Sequence, residues 1–149
     1  MLLVDFWEYT CINCIRDFAV LKSWYAKYHA YGFEVVGVHY GEFPMSFNAD
    51  NVRQVAQRFQ LPWPVVADLH GSIMNAYKSA VWPDGYLIDR NGEVVLHVQG
   101  EVNNWAIEEK ICTVLLVAHP EVDQILLDPP GDQFTLQCGS TTHETFVGN

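Results

Sequence analysis

The sequence has 149 residues, half of them hydrophobic and 13% aromatic, which fits one globular domain and excludes a chain that is disordered throughout. Eight basic against 18 acidic residues give a net charge of −10, which argues against binding to nucleic acid or to anionic membranes. Four cysteines are too few for a disulfide-dense scaffold. The residues from Met1 to Asp5 lack the basic and long apolar regions of a signal peptide. Since Met1 opens directly onto a predicted core strand, we expect a piece of a longer protein.

Strands and helices alternate along the chain. The apolar run at 2–7 predicts a central strand, and apolar residues at spacings of three and four predict a helix over 11–31, before Gly32. Residues 33–40 are apolar nearly throughout, which is typical of a strand buried on both faces. Similar patterns predict helices at 50–59, 72–78 and 103–118, the second of these three being short, and strands at 65–67, 86–89 and 93–98.

The order β-α-β-α-β-α-β-β-α predicts an α/β domain over residues 1–120. Alternating strands and helices form a mostly parallel sheet with helices on both faces. Asn91 and Gly92 predict a hairpin turn that adds antiparallel strands, so we expect a mixed sheet. Residues 121–149 contain a Pro-Pro-Gly run and are interpreted as a C-terminal tail or linker.

The pair Cys11 and Cys14 lies between the first predicted strand and the first predicted helix. A thiol at a helix N-terminus faces unpaired backbone N–H groups and the positive end of the helix dipole, and both favour the thiolate. Cys14 lies one turn further along the same helix face and is better shielded. We therefore predict that Cys11 attacks a substrate disulfide and that Cys14 resolves the mixed disulfide.

Three other uses of a Cys-x-x-Cys pair compete with this interpretation. A zinc site needs a second pair, and Cys112 and Cys138 are 26 residues apart. Haem attachment needs a histidine directly after the second cysteine, where Ile15 stands. Two inert buried thiols remain an alternative. The strand-to-helix position favours redox chemistry over all three, so no metal or other cofactor is predicted.

Several separated motifs between residues 2 and 100 resemble the thioredoxin superfamily, and more closely its TlpA-like and DipZ-like branch. They are DFWEYTCINCIR, EVVGVH followed by GEFP, PVVAD, and WPDGYLIDRNGEV. The resemblance implies a thioredoxin-like fold with a mixed central sheet flanked by helices and an extra helix-strand insertion near residues 50–67. The segment 141–148 is similar to one that follows this domain in DipZ-like proteins. NHL-repeat-associated thioredoxin domains look similar as well.

The resemblance also assigns roles around the cysteines. Asp5 stands where thioredoxins keep a buried carboxylate, and burial beneath the active site would raise its pKa and let it move the proton of Cys14. A partly exposed, structural Asp5 is the alternative. Trp82-Pro83 matches the cis-proline segment that faces the dithiol, so we expect a cis bond there. Trp82 and Trp7 are then predicted to form an aromatic rim that binds a peptide substrate.

Two comparisons within the superfamily limit the resemblance. Family members commonly carry proline five residues after the second cysteine, where this chain has Ala19, so we expect the helix kink to be missing or weaker. Peroxidases carry P-x-x-x-T-x-x-C, whereas here Val4 and Glu8 occupy the proline and threonine positions and Thr10 adjoins Cys11. Peroxidase chemistry is therefore not predicted.

Other notable residues have simpler interpretations. Trp63 and Trp105 are predicted to be core residues, and Cys112 a core thiol. Nothing in the sequence supports a bond between Cys112 and Cys138. Glu8 either tunes the neighbouring active site electrostatically or is merely solvated.

The sequence predicts a thiol-disulfide oxidoreductase that exchanges its CxxC dithiol with protein thiols and disulfides. A redox-inert, thioredoxin-like peptide-binding module is the alternative. The resemblance implies a redox partner protein, an extracytoplasmic or periplasmic location, a soluble domain that belongs to a membrane-attached parent protein, and a link to cytochrome c biogenesis. The direction of electron flow does not follow from the residues.

Overall fold

The computed structural model describes residues 1–101 and 104–125. Its element order confirms the predicted alternation. The strands are Leu2–Trp7 (β1), Glu34–His39 (β2), Val65–Ala67 (β3), Asp84–Ile88 (β4) and Val94–Gln99 (β5). The helices are Ile12–Tyr28 (α1), Ala49–Arg58 (α2), Ser72–Tyr77 (α3) and Asn104–Leu116 (α4).

The five strands form one mixed sheet in the order β3-β2-β1-β4-β5. β1 and β3 both run parallel to β2, whereas β4 is antiparallel to β1 and β5 is antiparallel to β4. The carboxyl ends of the parallel strands therefore meet at one edge, and β1 lies at the centre of the sheet. The extra helix and strand of the predicted insertion are α2 and β3.

Local signals mark several helix ends. The side chain of Cys11 caps α1, and a 3₁₀ turn, His29–Tyr31, follows its last residue. Gly32 ends that turn at a φ of +84°, a left-handed conformation that favours glycine. The predicted cap of α2 was Asp50, but the amide oxygen of Asn48 accepts the first N–H groups instead.

Both faces of the sheet are covered, which places the active-site strand in the core. On β1, Leu3 and Trp7 belong to a large cluster with α1 and α4, whereas Val4 and Phe6 pack with α3. Because side chains alternate along a strand, Asp5 faces α1 on the same side as Leu3 and Trp7.

The described part of the C-terminal region packs on the domain. After α4, Pro120–Gln124 forms a 3₁₀ turn in which Val122 is fully buried, and Ile125 packs against the main core. Residues 126–149, including Cys138 and the 141–148 segment, lie outside the described residues, so the domain boundary at residue 120 stays a prediction. Within the described residues, no helix is long and apolar enough to cross a membrane.

Candidate active site

The two cysteines lie at the N-terminus of α1, as predicted. Cys11 is the N-cap, and its Sγ accepts a hydrogen bond from the backbone N–H of Cys14 at 3.3 Å. Cys11 is partly exposed and Cys14 is buried. The outer sulfur therefore meets both a backbone N–H group and solvent, which is the position that an attacking thiol needs.

The electrostatic surroundings distinguish the inner thiol. Burial raises the pKa of Cys14, and the hydrogen bond with the Cys11 side chain and the charge of Asp5 raise it further, although a backbone hydrogen bond from Glu8 opposes them. Cys14 therefore holds its proton at neutral pH. It needs a neighbouring base before it can attack.

Asp5 is a buried carboxyl in the middle of the sheet. Its backbone pairs with Gly37 on one side and Gly85 on the other, so no neighbouring strand presents a side chain at that register. Burial is the largest cause that raises the pKa of Asp5, followed by the charges of Asp17 and Asp84, to about 8. Its Oδ2 atom has no hydrogen-bond partner among the described residues. The predicted burial is observed, and a partly exposed Asp5 is excluded.

Asp17 is a second acid that the sequence analysis missed. It lies three residues after Cys14 on the same helix face, and burial followed by the charge of Glu101 raises its pKa to about 7. A cavity of about 40 Å³ is lined by both Asp5 and Asp17, together with Pro83. One water needs roughly 10–15 Å³. The cavity can therefore hold water between the two carboxyls.

The Trp82-Pro83 bond is cis, as predicted from the resemblance. It brings the carbonyl oxygen of Trp82 to 3.8 Å from the Cys11 Sγ. The half-buried Trp82 ring stacks on Tyr40, with 6.3 Å between ring centroids, and Tyr40 meets the edge of Phe47 at 5.4 Å. A row of three aromatic rings, here called the aromatic ladder, therefore extends along the surface from Trp82, beside the Cys11 sulfur, through Tyr40 to Phe47.

Trp7 is not part of that rim, and its predicted exposed position is wrong. The side chain has no exposed area and packs edge-on against Phe18 and His39. Its indole nitrogen also lies so close to Gly37 that a β-carbon there would meet it at 2.9 Å. Because helices cover both faces of the sheet, Trp7 supports the site from within the core.

Glu8 is not solvated, which removes one of its two interpretations. It is fully buried and accepts hydrogen bonds from the hydroxyl of Ser46 and from the backbone N–H of Thr10. The Ser46 partner does not follow from sequence periodicity, because Ser46 lies 38 residues away.

The remaining expectations have mixed outcomes. Trp63 is buried, as expected of a core residue, whereas Trp105 is only half-buried. Cys112 is also half-buried and packs against the main core. Across residues 1–101 and 104–125, no group of three or more His, Cys, Asp or Glu side chains is arranged to hold a metal ion.

Comparison with known proteins gives the family. The sequence pattern of the AhpC/TSA family matches residues 1–97. The chain belongs to the AhpC/TSA family. Within that family it carries CxxC in place of the peroxidase cysteine pattern, since Glu8 and Val4 occupy the two positions that would define it.

Curated relatives of this AhpC/TSA chain include Protein DipZ and a protein named as a thiol-disulfide oxidoreductase. Protein DipZ of Mycobacterium tuberculosis is 32% identical over 116 residues, which are 78% of this chain and 16% of that protein. The thiol-disulfide oxidoreductase ResA of Geobacillus kaustophilus is 32% identical over 108 residues, 72% of this chain and 59% of ResA. The chain thus spans about a sixth of DipZ and about three fifths of ResA.

Solved structures show that the fold is thioredoxin-like, as predicted. A protein assigned as thiol:disulfide interchange protein DsbE from Chlorobium tepidum is 28% identical, with a TM-score of 0.70 over 76% of this chain and 79% of the other. A thioredoxin-like structure from Neisseria meningitidis gives a TM-score of 0.70 at 23% identity, over 83% of this chain and 80% of the other. The second similarity supports the fold alone.

Proposed function

We propose that this domain is a thiol-disulfide oxidoreductase that exchanges the Cys11–Cys14 dithiol with disulfides of polypeptides. The observation that carries the proposal is the placement of the two sulfurs. Cys11 caps α1, half exposed beside the Trp82 carbonyl, and the buried Cys14 donates its backbone N–H to the Cys11 Sγ and has a pKa that the charge of Asp5 raises. The named disulfide-exchange relatives support the same chemistry.

The reaction proceeds in two exchanges. The Cys11 thiolate attacks one sulfur of the substrate disulfide, forms a mixed disulfide, and releases the other substrate sulfur as a thiolate. Cys14 then loses its proton and attacks the Cys11 Sγ, which releases the second substrate thiolate. The domain ends with a Cys11–Cys14 disulfide, and the substrate has gained two electrons and, from solvent, two protons. The reverse sequence oxidises a substrate dithiol.

Asp5 is the proposed proton acceptor for Cys14. With a pKa raised to about 8, its carboxyl can both take and return a proton near neutral pH. Asp17 and the water-sized cavity then link Asp5 to solvent, since Asp17 lines the same cavity and is only partly buried. Asp17 joins the proposed machinery as a relay group.

The surface beside Cys11 fits a polypeptide substrate with apolar side chains near its disulfide. Ile12, between the two cysteines, is about half exposed, and Met45 and Phe47 are also exposed. Phe47 continues the aromatic ladder from Trp82, and the hydroxyl of Tyr9 donates to the Met45 carbonyl at 2.8 Å. Trp82 and Pro83 are thus the proposed substrate-positioning residues, with Phe47 in place of Trp7.

The wider setting is proposed from the resemblance. We place the domain on the extracytoplasmic side, attached to a longer protein that a redox partner protein reduces or oxidises. The domain of residues 1–120 carries the chemistry, and the segment 121–149 connects it onward. The relatives that this chain matches are longer than the chain, in agreement with this arrangement.

Insulin reduction with dithiothreitol as the electron source tests the activity. We expect the wild-type chain to accelerate reduction and Cys11→Ser to abolish the acceleration. Reduced Cys14→Ser, mixed with insulin after dithiothreitol has been removed, should accumulate a mixed disulfide that mass spectrometry detects. Cys112→Ser is the matched control, because this half-buried thiol lies on α4, away from the dithiol at the start of α1. It should keep full activity.

Two outcomes would contradict the proposal. A folded wild-type protein without activity in this and other thiol-exchange assays would favour the redox-inert binding module. Activity that survives Cys11→Ser would mean that another group performs the exchange.

A further inference from the structure

A fully buried carboxylate lies three residues before the outer cysteine and has no role in the proton path. Both Oε atoms of Glu8 accept hydrogen bonds. Oε2 accepts from the backbone N–H of Thr10 at 2.6 Å and also from the Thr10 hydroxyl, and Oε1 accepts from the Ser46 hydroxyl at 2.6 Å. A carboxylate that loses its water needs such donors, and here three are supplied.

These bonds join two segments that are distant in sequence. Thr10 directly precedes Cys11, whereas Ser46 lies in the 3₁₀ turn Pro44–Phe47, between β2 and α2. Ser46 is fully buried and packs closely on Gly41, where an added β-carbon would lie 2.6 Å from the Ser46 Cβ. The turn is therefore a firm anchor for the carboxylate.

The backbone of Glu8 also holds the cysteine segment. Its carbonyl oxygen accepts the N–H of Cys11 at 3.2 Å, and a hydrogen bond from its backbone reaches Cys14. The carboxylate and the backbone of one residue thus contact Thr10 and both cysteines.

The neighbouring titratable group does not replace these donors. The Nε2 atom of His39 on β2 lies 3.7 Å from Glu8 Oε1, which is beyond hydrogen-bond distance. Burial lowers the pKa of His39, so the ring at neutral pH is uncharged. The rings of Trp7 and Tyr9 pack on His39 and fix it in place. The carboxylate therefore depends on Thr10 and Ser46.

We propose that Glu8 is a positioning residue for the dithiol, which anchors the Cys11 segment to the Ser46 turn. This inference rests on the proposed function. Forming the Cys11–Cys14 bond requires the outer sulfur to stay within reach of the inner one, so an anchored segment raises the effective concentration of one thiol at the other. Loss of the anchor should therefore weaken the disulfide relative to the dithiol.

The test is the equilibrium in which the dithiol and oxidised glutathione give the protein disulfide and two reduced glutathiones. It is measured for the wild type, Glu8→Ala, Glu8→Gln and Ser46→Ala, with alkylation and peptide mapping to follow the Cys11–Cys14 bond. We expect Glu8→Ala to lower the equilibrium constant at least ~10-fold, which raises the reduction potential by ~30 mV for a two-electron couple. Glu8→Gln keeps one acceptor oxygen and should give a smaller decrease, as should Ser46→Ala.

A second buried carboxylate provides the matched control. Glu108 is also fully buried and accepts from Lys27 at 2.7 Å and from the Tyr28 hydroxyl at 3.0 Å. Tyr28 ends α1, ~25 Å from Cys11 by the helical rise. Glu108→Ala should lower the stability to denaturant, as Glu8→Ala should, but should leave the glutathione equilibrium within about twofold, because distant sites act independently.

The outcomes are decisive in each case. An unchanged equilibrium in both Glu8 variants would overturn the inference, and an equal shift in Glu108→Ala would show that general destabilisation is the cause. If Glu8→Ala does not fold, Glu8→Gln and Ser46→Ala decide. A protein that reduces no insulin would defeat the proposed function but not this test, which needs only that the two thiols form a disulfide. A wild-type protein that forms none would overturn both.

Discussion

Replacing Asp5 with asparagine should stabilise the folded domain relative to the wild type, by an amount that grows as the pH rises. In the unfolded chain the carboxyl titrates at its ordinary pKa of 3.8, whereas in the folded protein burial raises that pKa to about 8. Between these values the folded protein keeps a proton that the unfolded chain releases, so stability decreases with rising pH and levels off above the folded pKa. Each pKa unit corresponds to ~1.4 kcal/mol, so the carboxyl costs the folded state up to ~4 kcal/mol at pH 7.

Measuring the difference in stability at several pH values separates the titration of Asp5 from the other effects of the substitution. An asparagine amide would also lie buried, with the Oδ2 position still lacking a hydrogen-bond partner. The increase in unfolding free energy at any single pH will therefore be smaller than the cost of the carboxyl given above. The difference in unfolding free energy between Asp5→Asn and wild type should nevertheless widen by ~3 kcal/mol between pH 5 and pH 7, because position 5 titrates only in the wild type.

Urea unfolding of the reduced protein at pH 5, 6 and 7 measures that difference. Asp89→Asn is a useful control, because hydrogen bonds from the backbone of Glu93 and Asn91 lower the pKa of this partly exposed residue. A lowered pKa changes stability only below the ordinary value, so the control difference should stay flat over the same range. A flat difference for Asp5→Asn as well would refute the raised pKa and, with it, the proposed proton acceptor.

Three further predictions concern the surroundings of the dithiol. Asp17→Asn removes a charge that raises the pKa of Asp5, so the acid limb of the pH profile of kcat/KM for insulin reduction should move to lower pH. Gly37→Ala places a β-carbon 2.9 Å and 3.3 Å from two buried indole nitrogens, and urea unfolding should show a loss of about 1–3 kcal/mol. Phe47→Ser should raise KM for peptide disulfides with apolar flanking residues by about threefold to tenfold. The smaller side chain removes apolar contact area between the domain and the bound peptide, which weakens binding. Val117→Ser, at an exposed residue just beyond the C-terminal end of α4, should leave that KM unchanged.

Features that depend on short spacings were predictable from the sequence. The cysteines at Cys11 and Cys14, between an apolar run and an amphipathic helix, fix a strand-to-helix turn, and Asp5 six residues earlier then has to lie on the strand behind it. The mixed sheet follows from the alternation of elements together with one Asn-Gly hairpin. The cis bond before Pro83 came only from the resemblance, because no residue pattern alone distinguishes it from the common trans form.

Features that depend on contacts across the chain were not predicted. The rim position of Trp7 was inferred from its closeness to the cysteines, but the strand that carries it is apolar almost throughout, and such strands are buried on both faces. Asp17 had a local signal, since a residue three positions after Cys14 shares its helix face. The burial of Glu8 against Ser46 had no such signal, because Ser46 follows β2 and lies 38 residues further along the chain.

The two buried carboxyls near the dithiol therefore have different proposed roles, proton transfer for Asp5 and positioning for Glu8. The groups around each carboxyl explain the difference. Asp5 has few donors and two acidic neighbours, so its proton is held close to neutral pH and remains available for transfer. Glu8 has three donors from Thr10 and Ser46, which is the environment of a group that accepts hydrogen bonds and holds structure in place. If this division is correct, Asp5→Asn should change the rate of exchange more than its equilibrium, and Glu8→Ala should change the equilibrium at least as much as the rate.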